Sequence, residues 1–231
     1  MSTVDEAYIQ KLLRTVNHDM SATLRSSVGF STLILSEFDA SLDDKVKKWL
    51  RLNVEQGEKT QASLIALSSY ARLYNVKEEL ARCDLAVLAN EVCNKLQTAA
   101  SAAGMTIEVN LSSPISGYKL LWSDYLQQVI ANAFMHSQGS HCKVYEERDE
   151  AEFKLIIEDD GEGLDTSQMA EAILPFRKLT DSSAVGMGLA RAKRIVEIHG
   201  GQLQLCTRQS GLCVEAVLPA DIAAGATLLN H

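Results

Sequence analysis

The positions of the prolines divide this chain into two parts with different folding potential. All three prolines of the 231 residues lie beyond residue 113. Proline removes a backbone donor and clashes with the preceding turn, so a long proline-free stretch leaves room for uninterrupted helices. Within this stretch, apolar residues recur every three or four positions, the period of one helix face: Ile9, Leu13, Val16, Met20, Leu24 and Val28. The pattern predicts a first helix over residues 5–37.

A second helix is predicted from about residue 43 to residue 74. The chain breaks at 38–44, where Ser41 and Asp44 have the spacing of a capping box. The apolar side of this helix is interrupted in its middle by Asn53, Gly57 and Thr60. Two helices with a short connection form an antiparallel hairpin. Because one hairpin cannot bury both of its apolar stripes, we expect residues 1–78 to form a homodimer through a four-helix bundle.

From residue 79 onward the pattern changes to alternating helices and strands. Helices are predicted at 85–103, 122–137 and 187–199, and strands at 105–111, 141–147, 152–158, 202–207 and 212–218. A turn is predicted around 112–117, the segment 164–185 has little periodicity, and the last dozen residues resemble a loose tail. This order predicts an α+β domain over residues 79–231, a two-layer sandwich with its helices on one face of a sheet.

Composition excludes several classes of function. The net charge of −8 at neutral pH argues against a nucleic-acid-binding surface. No apolar run approaches the roughly 20 residues that cross a bilayer, and no signal peptide precedes the first helix. Five cysteines without C-x-x-C spacing favour reduced, structural thiols over metal ligands, and a cytoplasmic location: Cys83, Cys93, Cys142, Cys206 and Cys213. We therefore expect a soluble cytoplasmic protein with no membrane span in this chain.

Two glycine-containing runs and one asparagine in the second part have residue types suited to a nucleotide. The run DDGEG at 159–163 follows an apolar strand, where a carboxylate can accept a hydrogen bond from an exocyclic amine and glycines let backbone approach a flat ring. The run GMGL at 186–189 opens a helix, whose first N–H groups suit a polyphosphate. Asn132 offers an amide oxygen acceptable to Mg²⁺. Each feature alone is equally explained by a turn, a helix start or polar surface.

His18 and Asp19 stand side by side in the first predicted helix. At about 100° per residue, His18 points away from Val16 and Met20 and toward water. A surface histidine ordinarily has no special role. An imidazole held out on a rigid helix is nevertheless accessible to a second domain, and the neighbouring carboxylate can accept its ring proton.

In this order and on these elements, the motifs resemble those of two-component sensor histidine kinases. The second part resembles their ATP-binding domain, of the Bergerat type, within the superfamily that includes Hsp90-type chaperones and type II topoisomerases. The H-box is most similar to that of phytochrome-like kinases. Six runs carry the resemblance: 18–30 (H-box), 128–137 (N-box), 159–163 (first G-box), 175–179 (F-box), 186–189 (second G-box) and the following 190–201.

The resemblance implies an ATP-dependent protein-histidine kinase that uses Mg²⁺, forms a homodimer and passes its phosphate to the receiver domain of a response regulator. His18 would be the phosphoacceptor and Asp19 the general base. Asn132 would hold Mg²⁺, and Asp159 would select adenine. The segment 164–185 would be a lid over the nucleotide. The remaining nucleotide-binding residues implied by the resemblance are Gly161, Gly163, Arg177, Lys178, Gly186, Gly188 and Leu189.

Departures from the family pattern keep other functions open. Hydrolysing members of the superfamily place a glutamate one helical turn before the asparagine; here the residue is Gln128, an amide that cannot act as a base, which disfavours a chaperone-like ATPase. Met135 stands where the N-box usually has a basic residue, and Ala184 replaces the first glycine of the second G-box. These losses favour the alternative of a histidine phosphotransfer protein with a degenerate ATP-binding domain, relaying phosphate without using ATP.

Overall fold

A computed structural model describes residues 3–137, 139–179, 184–208 and 211–224, with side chains described from residue 15 to residue 222. The chain divides into two compact units. The first consists mainly of the residues up to Val76, and the second contains most of the chain from Lys77 onward, two residues before the predicted boundary. A helical part followed by an α+β domain is the predicted fold class, and the structure confirms it.

The first unit is a helical hairpin. Helix α1 spans Thr3–Phe38, a single 3-10 turn spans Asp39–Ser41, and helix α2 spans Asp44–Arg72. The predicted capping box is wrong, because Asp43, in extended conformation, caps α2 and its carboxylate accepts from the Lys45 amide at 2.8 Å. Ser41 instead lies in the 3-10 turn, and its hydroxyl donates to the Phe38 carbonyl.

The seam between α1 and α2 is partly polar, which accounts for the interrupted apolar pattern of α2. Asn17 donates to the Leu64 carbonyl at 2.7 Å, and Asn53 donates to the Ser31 hydroxyl at 2.8 Å. Between these two contacts, a Cβ on Gly57 would lie 2.3 Å from the Val28 side chain, so the two backbones approach closely there. Asn53 is therefore a hydrogen-bonding position and Gly57 a close-packing position of the hairpin, whereas Thr60 donates to the Gln56 carbonyl within α2.

The second unit is built on a five-stranded mixed sheet in the order β2-β4-β5-β7-β6. Its strands are β2 (Thr106–Asn110), β4 (His141–Arg148), β5 (Glu152–Asp159), β6 (Gln202–Arg208) and β7 (Gly211–Pro219). Only the β2–β4 pair is parallel. Helices α3 (Leu85–Ala102), α4 (Lys119–His136) and α6 (Gly188–Ile198) pack on one face of the sheet. Helix α3 ends at Ala102, one residue before its predicted end, and Gly104 just after it has φ +71°.

Three local predictions differ from the structure. The turn predicted around 112–117 contains a strand, β3 (Pro114–Gly117), which pairs antiparallel with β1 (Ala81–Asp84) outside the main sheet. The segment 164–185 contains a short helix, α5 (Thr166–Ala172), that begins with a capping box between Asp165 and Gln168. The predicted tail begins with a 3-10 helix over Ala220–Ala224, and its remainder lies outside the described residues.

The core between the helices and the sheet contains one buried histidine. The apolar face of α4 is buried as its periodicity predicts, with Trp122 and Tyr125 fully enclosed. His199, at the end of α6, lies 4.4 Å from the Trp122 ring between centroids. Among the described helices, none is long and apolar enough to cross a bilayer.

Candidate nucleotide site

Asp159 is the last residue of β5, and its carboxylate is fixed by backbone donors. Its Oδ1 accepts from the Gly161 amide at 2.9 Å and from the Leu212 amide at 3.4 Å. Within the described part of the chain, no hydrogen bond to Oδ2 is found. Burial raises the pKa of the Asp159 carboxyl above its ordinary value. Asp159 therefore presents one oriented, half-buried acceptor, the type of group that recognises an exocyclic amine.

The turn after Asp159 packs directly on the end of α4. A Cβ on Gly161 would lie 1.9 Å from the Ser137 carbonyl oxygen, so no other residue fits without a backbone shift. The Glu162 amide donates to the same carbonyl at 3.2 Å. Gly163 has φ +68°, a conformation that favours glycine. Both glycines implied by the resemblance are thus required by the backbone, and they bring the end of β5 against the helix that carries Asn132.

Asp160 has a structural role that the sequence does not indicate. Its Oδ1 accepts from the amides of Ser140 at 2.7 Å and His141 at 2.8 Å, and its Oδ2 lies 3.2 Å from the His141 ring Nδ1. The donation from the His141 backbone, with those from its side chain and from Ser140, holds the pKa of Asp160 well below its usual range. Asp160 therefore links the end of β5 to the start of β4 through hydrogen bonds. Although Asp159 and Asp160 are adjacent, their roles in the structure differ.

Helix α4 places Asn132 between two contact points with the glycine runs. Ser137, at its end, meets Gly161, while Gln128, one turn before Asn132, has its amide oxygen 3.4 Å from where a Cβ on Gly188 would lie. At 1.5 Å of rise per residue, both points are within about 8 Å of Asn132 along the helix axis. Asn132 is half-buried. The structure thus gathers the three predicted runs around the middle and end of one helix.

Gln128 belongs to a polar network that sequence reasoning missed. Its amide donates to Asp124 Oδ1 at 3.0 Å, and Arg191 on α6 pairs with the other oxygen of the same carboxylate. The i, i+4 spacing of Asp124 and Gln128 is the signal that could have indicated their contact. Gln128 therefore presents a side-chain amide with one of its N–H donors engaged by Asp124.

The F-box and the second G-box meet through their backbones. A Cβ on Gly186, which has φ +77°, would lie 2.4 Å from the Arg177 carbonyl oxygen. Phe176, the residue before Arg177, has φ +61°, which is strained for a side chain of this size. The side chains of Arg177 and Lys178 are exposed. The predicted lid segment also includes residues 180–183, which lie outside the described residues.

Gly188 and Leu189 form the first turn of α6. The first intrahelical bond runs from the Arg191 amide to the Met187 carbonyl, so the amides of residues 188–190 have no partner within the helix. The Leu189 side chain is buried in the core. If Leu189 binds the nucleotide as expected, it can do so only through its backbone. Gly188 has no side chain, so nothing of its own shields its amide.

In the first unit, His18 and Asp19 project from α1 into solvent. The His18 Nδ1 lies 3.1 Å from Asp19 Oδ1, and both side chains are more than 70% exposed, at 79% and 73%. The neighbouring Asn17 bonds to α2 and Ser21 is buried, so the helix beneath the pair is held by the hairpin seam. The imidazole is thus exposed while its backbone is fixed.

Comparison with known protein families identifies the second unit. The sequence profile described as "histidine kinase-, DNA gyrase B-, and HSP90-like ATPase" matches residues 120–222. Residues 120–222 are therefore similar to the ATPase domain of histidine kinases. The match extends from α4 to the 3-10 helix after β7 and includes Asn132, Asp159 and Gly188.

Curated relatives extend the similarity beyond the ATPase domain. The phytochrome-like protein Cph1 of Synechocystis sp. is 22% identical over 204 residues, which cover 86% of this chain and 27% of Cph1. The sensor protein PfeS of Pseudomonas aeruginosa is 33% identical over 98 residues, covering 41% of this chain and 22% of PfeS. The chain thus spans about a quarter of the length of the curated relatives it matches.

Solved structures share the fold of most of the chain. Full-length ShkA in complex with AMPPNP superposes with a TM-score of 0.67 at 18% identity, covering 91% of this chain and 46% of that one. The Acinetobacter baumannii histidine kinase AdeS gives a TM-score of 0.62 at 21% identity, covering 86% and 98%. With the ATPase domain, these matches confirm the predicted resemblance to a sensor histidine kinase catalytic core.

Proposed function

We propose that this chain is the catalytic core of an ATP-dependent protein-histidine kinase that phosphorylates its own His18 and then passes the phosphoryl group to an aspartate of a response regulator. The observation that carries the proposal is the His18–Asp19 pair, an exposed imidazole with a carboxylate 3.1 Å from its Nδ1. A histidine placed in this way, in a chain with a histidine kinase-like ATPase domain, has the chemistry of a phosphoacceptor.

The pair favours Nε2 as the ring nitrogen that reacts. If Nδ1 carries the proton and donates it to Asp19, then Nε2 holds a free lone pair directed to solvent. In the transfer, a bond forms between Nε2 and the γ-phosphorus as the bond from that phosphorus to the β,γ-bridging oxygen breaks and ADP leaves. Asp19 offsets the positive charge that develops on the ring and accepts the Nδ1 proton, as general base.

The second unit fits a nucleotide on three grounds. Asp159 offers an oriented acceptor, Gly161 keeps a close approach that a side chain would block, and the first turn of α6 has amides without intrahelical partners. We propose that Asp159 accepts from the adenine amino group. Backbone groups at Gly163, Gly186, Gly188 and Leu189, with the side chains of Arg177 and Lys178, would contact the rest of the nucleotide.

Asn132 would hold Mg²⁺ through its amide oxygen, together with the phosphates. When bound, Mg²⁺ supplies positive charge that offsets the charge on the phosphate oxygens. Gln128 cannot deprotonate water, and its amide is bonded to Asp124, so the competing hydrolysis of ATP is disfavoured.

The hairpin is proposed to form the homodimer. A series of large apolar side chains on it is exposed in the single chain: Val16, Met20, Phe30, Leu33, Ile34, Phe38, Trp49, Leu52 and Ile65. Pairing two hairpins into a four-helix bundle would remove such side chains from water. Light scattering of the purified chain should give twice the mass of 25.3 kDa. A monomer at micromolar concentration would contradict this part of the proposal.

The decisive experiment incubates the purified chain with γ-labelled ATP and Mg²⁺. We expect acid-labile label on the wild type and none on His18→Ala, which should still bind a fluorescent ATP analogue because His18 lies outside the ATPase domain. Asp159→Asn should weaken analogue binding about 10-fold or more, since a hydrogen bond to a charged group contributes about 1.5–3 kcal/mol. Label that persists on His18→Ala would refute the assignment of the phosphoacceptor.

A histidine phosphotransfer protein that does not use ATP is the second candidate. It is favoured by Met135, whose exposed side chain stands where the family usually has a basic residue, and by Ala184 in the second G-box. In that case the wild type would bind no analogue and take no label from ATP, yet His18 would accept phosphate from a phosphorylated receiver domain. The same two measurements therefore separate the candidates.

A further inference from the structure

A thiol-rich cluster lies on the face of the sheet that the helices leave uncovered. Cys206 on β6 and Cys213 on β7 are directly opposed partners in the antiparallel register. Glu215 follows Cys213 by two residues, so its side chain points to the same face. Cys213 is fully buried and Glu215 nearly so, whereas Cys206 is partly exposed. Both cysteines are free thiols.

The three side chains have the spacing of metal ligands. The Glu215 Oε1 lies 3.4 Å from the Cys206 Sγ and 3.6 Å from the Cys213 Sγ, and all three atoms lie within 4.8 Å of one another. Tetrahedral zinc with Zn–S of about 2.3 Å and Zn–O of about 2.0 Å requires S···O separations of about 3.5 Å. The two S···O distances of the cluster therefore match two edges of such a site, and the two sulfurs lie within 4.8 Å of each other. In the part of the chain that the structure describes, no other trio of potential ligands meets this spacing.

The surrounding charges suit a divalent cation with two thiolates. Arg208 donates to Glu215 Oε1 at 2.7 Å, to the Tyr145 hydroxyl at 2.7 Å and to Glu147 at 3.2 Å. Two thiolates, one carboxylate and a divalent ion sum to a charge of −1, which Arg208 offsets. Burial raises the pKa of both thiols, so they are protonated until an ion displaces the protons to water.

We propose that Cys206, Cys213 and Glu215 bind a thiophilic divalent ion of the zinc class, with the fourth position left to water on the exposed side of Cys206. Thiolate ligands select zinc over magnesium and calcium, so this site is distinct in chemistry from the Mg²⁺ proposed at Asn132. The proposal departs from the expectation that structural thiols are favoured over metal ligands. It stands independently of the proposed kinase activity, because no nucleotide is involved.

The test is titration of the full chain, reduced and stripped of metal, with Co²⁺ alone as the spectroscopic probe. We expect thiolate-to-Co²⁺ charge-transfer absorption that saturates at one ion per chain and disappears when Zn²⁺ is added. Cys206→Ser should weaken Co²⁺ binding about 100-fold or more, because removing a ligand exceeds the 10- to 100-fold effect of an outer-shell change. Glu215→Gln should weaken it as well and serves as a second variant, and far-ultraviolet circular dichroism verifies that each variant is folded.

The matched control is Cys93→Ser, which removes a partly exposed thiol on α3, outside the cluster. It should bind Co²⁺ as the wild type does. Absence of thiolate absorption in the wild type, or equal binding by wild type and Cys206→Ser, would overturn the proposal. It would also be overturned if the reduced wild type took up no metal while oxidised glutathione converted Cys206 and Cys213 to a disulfide, since the pair would then be a redox couple.

Discussion

At the scale of single residues, Gly161 is a position where the candidate nucleotide site tolerates little change. Its Cα faces the Ser137 carbonyl so closely that an added methyl would lie 1.9 Å from the oxygen. The contact is with backbone, which cannot rotate aside as a side chain would. Any substitution must therefore separate the turn after β5 from the end of α4, and with it Asp159 from Asn132.

We predict that Gly161→Ala destabilises the ATPase domain by about 1–3 kcal/mol, the usual cost of overpacking, and lowers affinity for an ATP analogue by about 10-fold or more. Equilibrium unfolding in urea and fluorescence titration measure the two effects. Gly29→Ala is the control, because a Cβ there has open space and lies in the other unit. If Gly161→Ala binds the analogue as tightly as the wild type does, the prediction is contradicted, because the turn after β5 can then move without weakening binding.

The sequence predicts which residue types form the candidate site better than it predicts the role of each residue. Asp159 and Asp160 are adjacent and identical in type, yet one faces the candidate adenine position and the other binds the start of β4. That difference depends on strand alternation and on where β4 begins, which are properties of pairing between distant segments. Arg191 likewise reaches Asp124 only because α4 and α6 are neighbours.

At the scale of elements, the hairpin is aligned by a close contact flanked by side-chain hydrogen bonds. Val28 on α1 fits against Gly57 on α2, and Asn17 and Asn53 bond across the seam on either side. Polar pairs of this kind restrict the alignment of two helices more than apolar packing does, because a shift of one turn leaves them unpaired. The seam therefore helps to fix where His18 stands relative to α2.

We predict that Gly57→Ala loosens the hairpin, because the new methyl would lie 2.3 Å from Val28 Cγ2. Overpacking costs about 1–3 kcal/mol, and removal of a helical glycine returns about 1 kcal/mol. The double variant Gly57→Ala/Val28→Ala should recover stability, since the methyl then occupies the vacated space. Hydrogen exchange of the α1 and α2 amides measures each variant. If the stability changes of the two single variants simply add in the double variant, the contact between residue 57 and Val28 is contradicted.

Long periodic elements were the predictable part of the fold. Helices α1, α2, α4 and α6 and the five strands of the main sheet occur within a few residues of where periodicity places them. The short strands β1 and β3 were missed because four residues carry too little pattern, and each exists through pairing with the other. Helix α5 was missed because seven residues cannot complete an apolar face, although Asp165 and Gln168 have the spacing of its cap.

At the scale of the whole ATPase domain, His199 connects segments that are distant in sequence. Its Nε2 accepts from the Tyr118 amide at 3.0 Å, ahead of α4, and its Nδ1 donates to the Ile195 carbonyl at 2.7 Å within α6. Because Nε2 must accept, the ring is held neutral. Burial lowers the pKa of His199 from 6.5 to about 4.

This lowered pKa predicts acid sensitivity. The unfolded chain binds a proton near pH 6.5 and the folded chain only near pH 4, so stability is complete above pH 6.5 and falls as the pH drops toward 4. At 1.36 kcal/mol per pH unit, the loss is about 3 kcal/mol. Urea unfolding between pH 7.5 and 4.5 measures it, with Trp49→Phe so that Trp122, 4.4 Å from the imidazole, is the sole tryptophan reporter.

The control for the pH experiment is His199→Gln, also carrying Trp49→Phe. Glutamine keeps a donor and an acceptor but does not titrate in this range. We expect this variant to be less stable at pH 7.5 and to have a nearly flat profile between pH 6.5 and pH 4.5. A profile with the slope of the parent would assign the acid sensitivity to other groups.

The order of strands in the sheet has a consequence for how the protein is synthesised. β7 is the last of the described strands in sequence but lies between β5 and β6, so β5 keeps an open edge until residues 211–219 have left the ribosome. β7 also supplies a hydrogen-bond donor to the carboxylate at the end of β5, because the Leu212 amide donates to Asp159. A chain that ends before β7 would therefore leave the edge of β5 unpaired and Asp159 without its Leu212 donor.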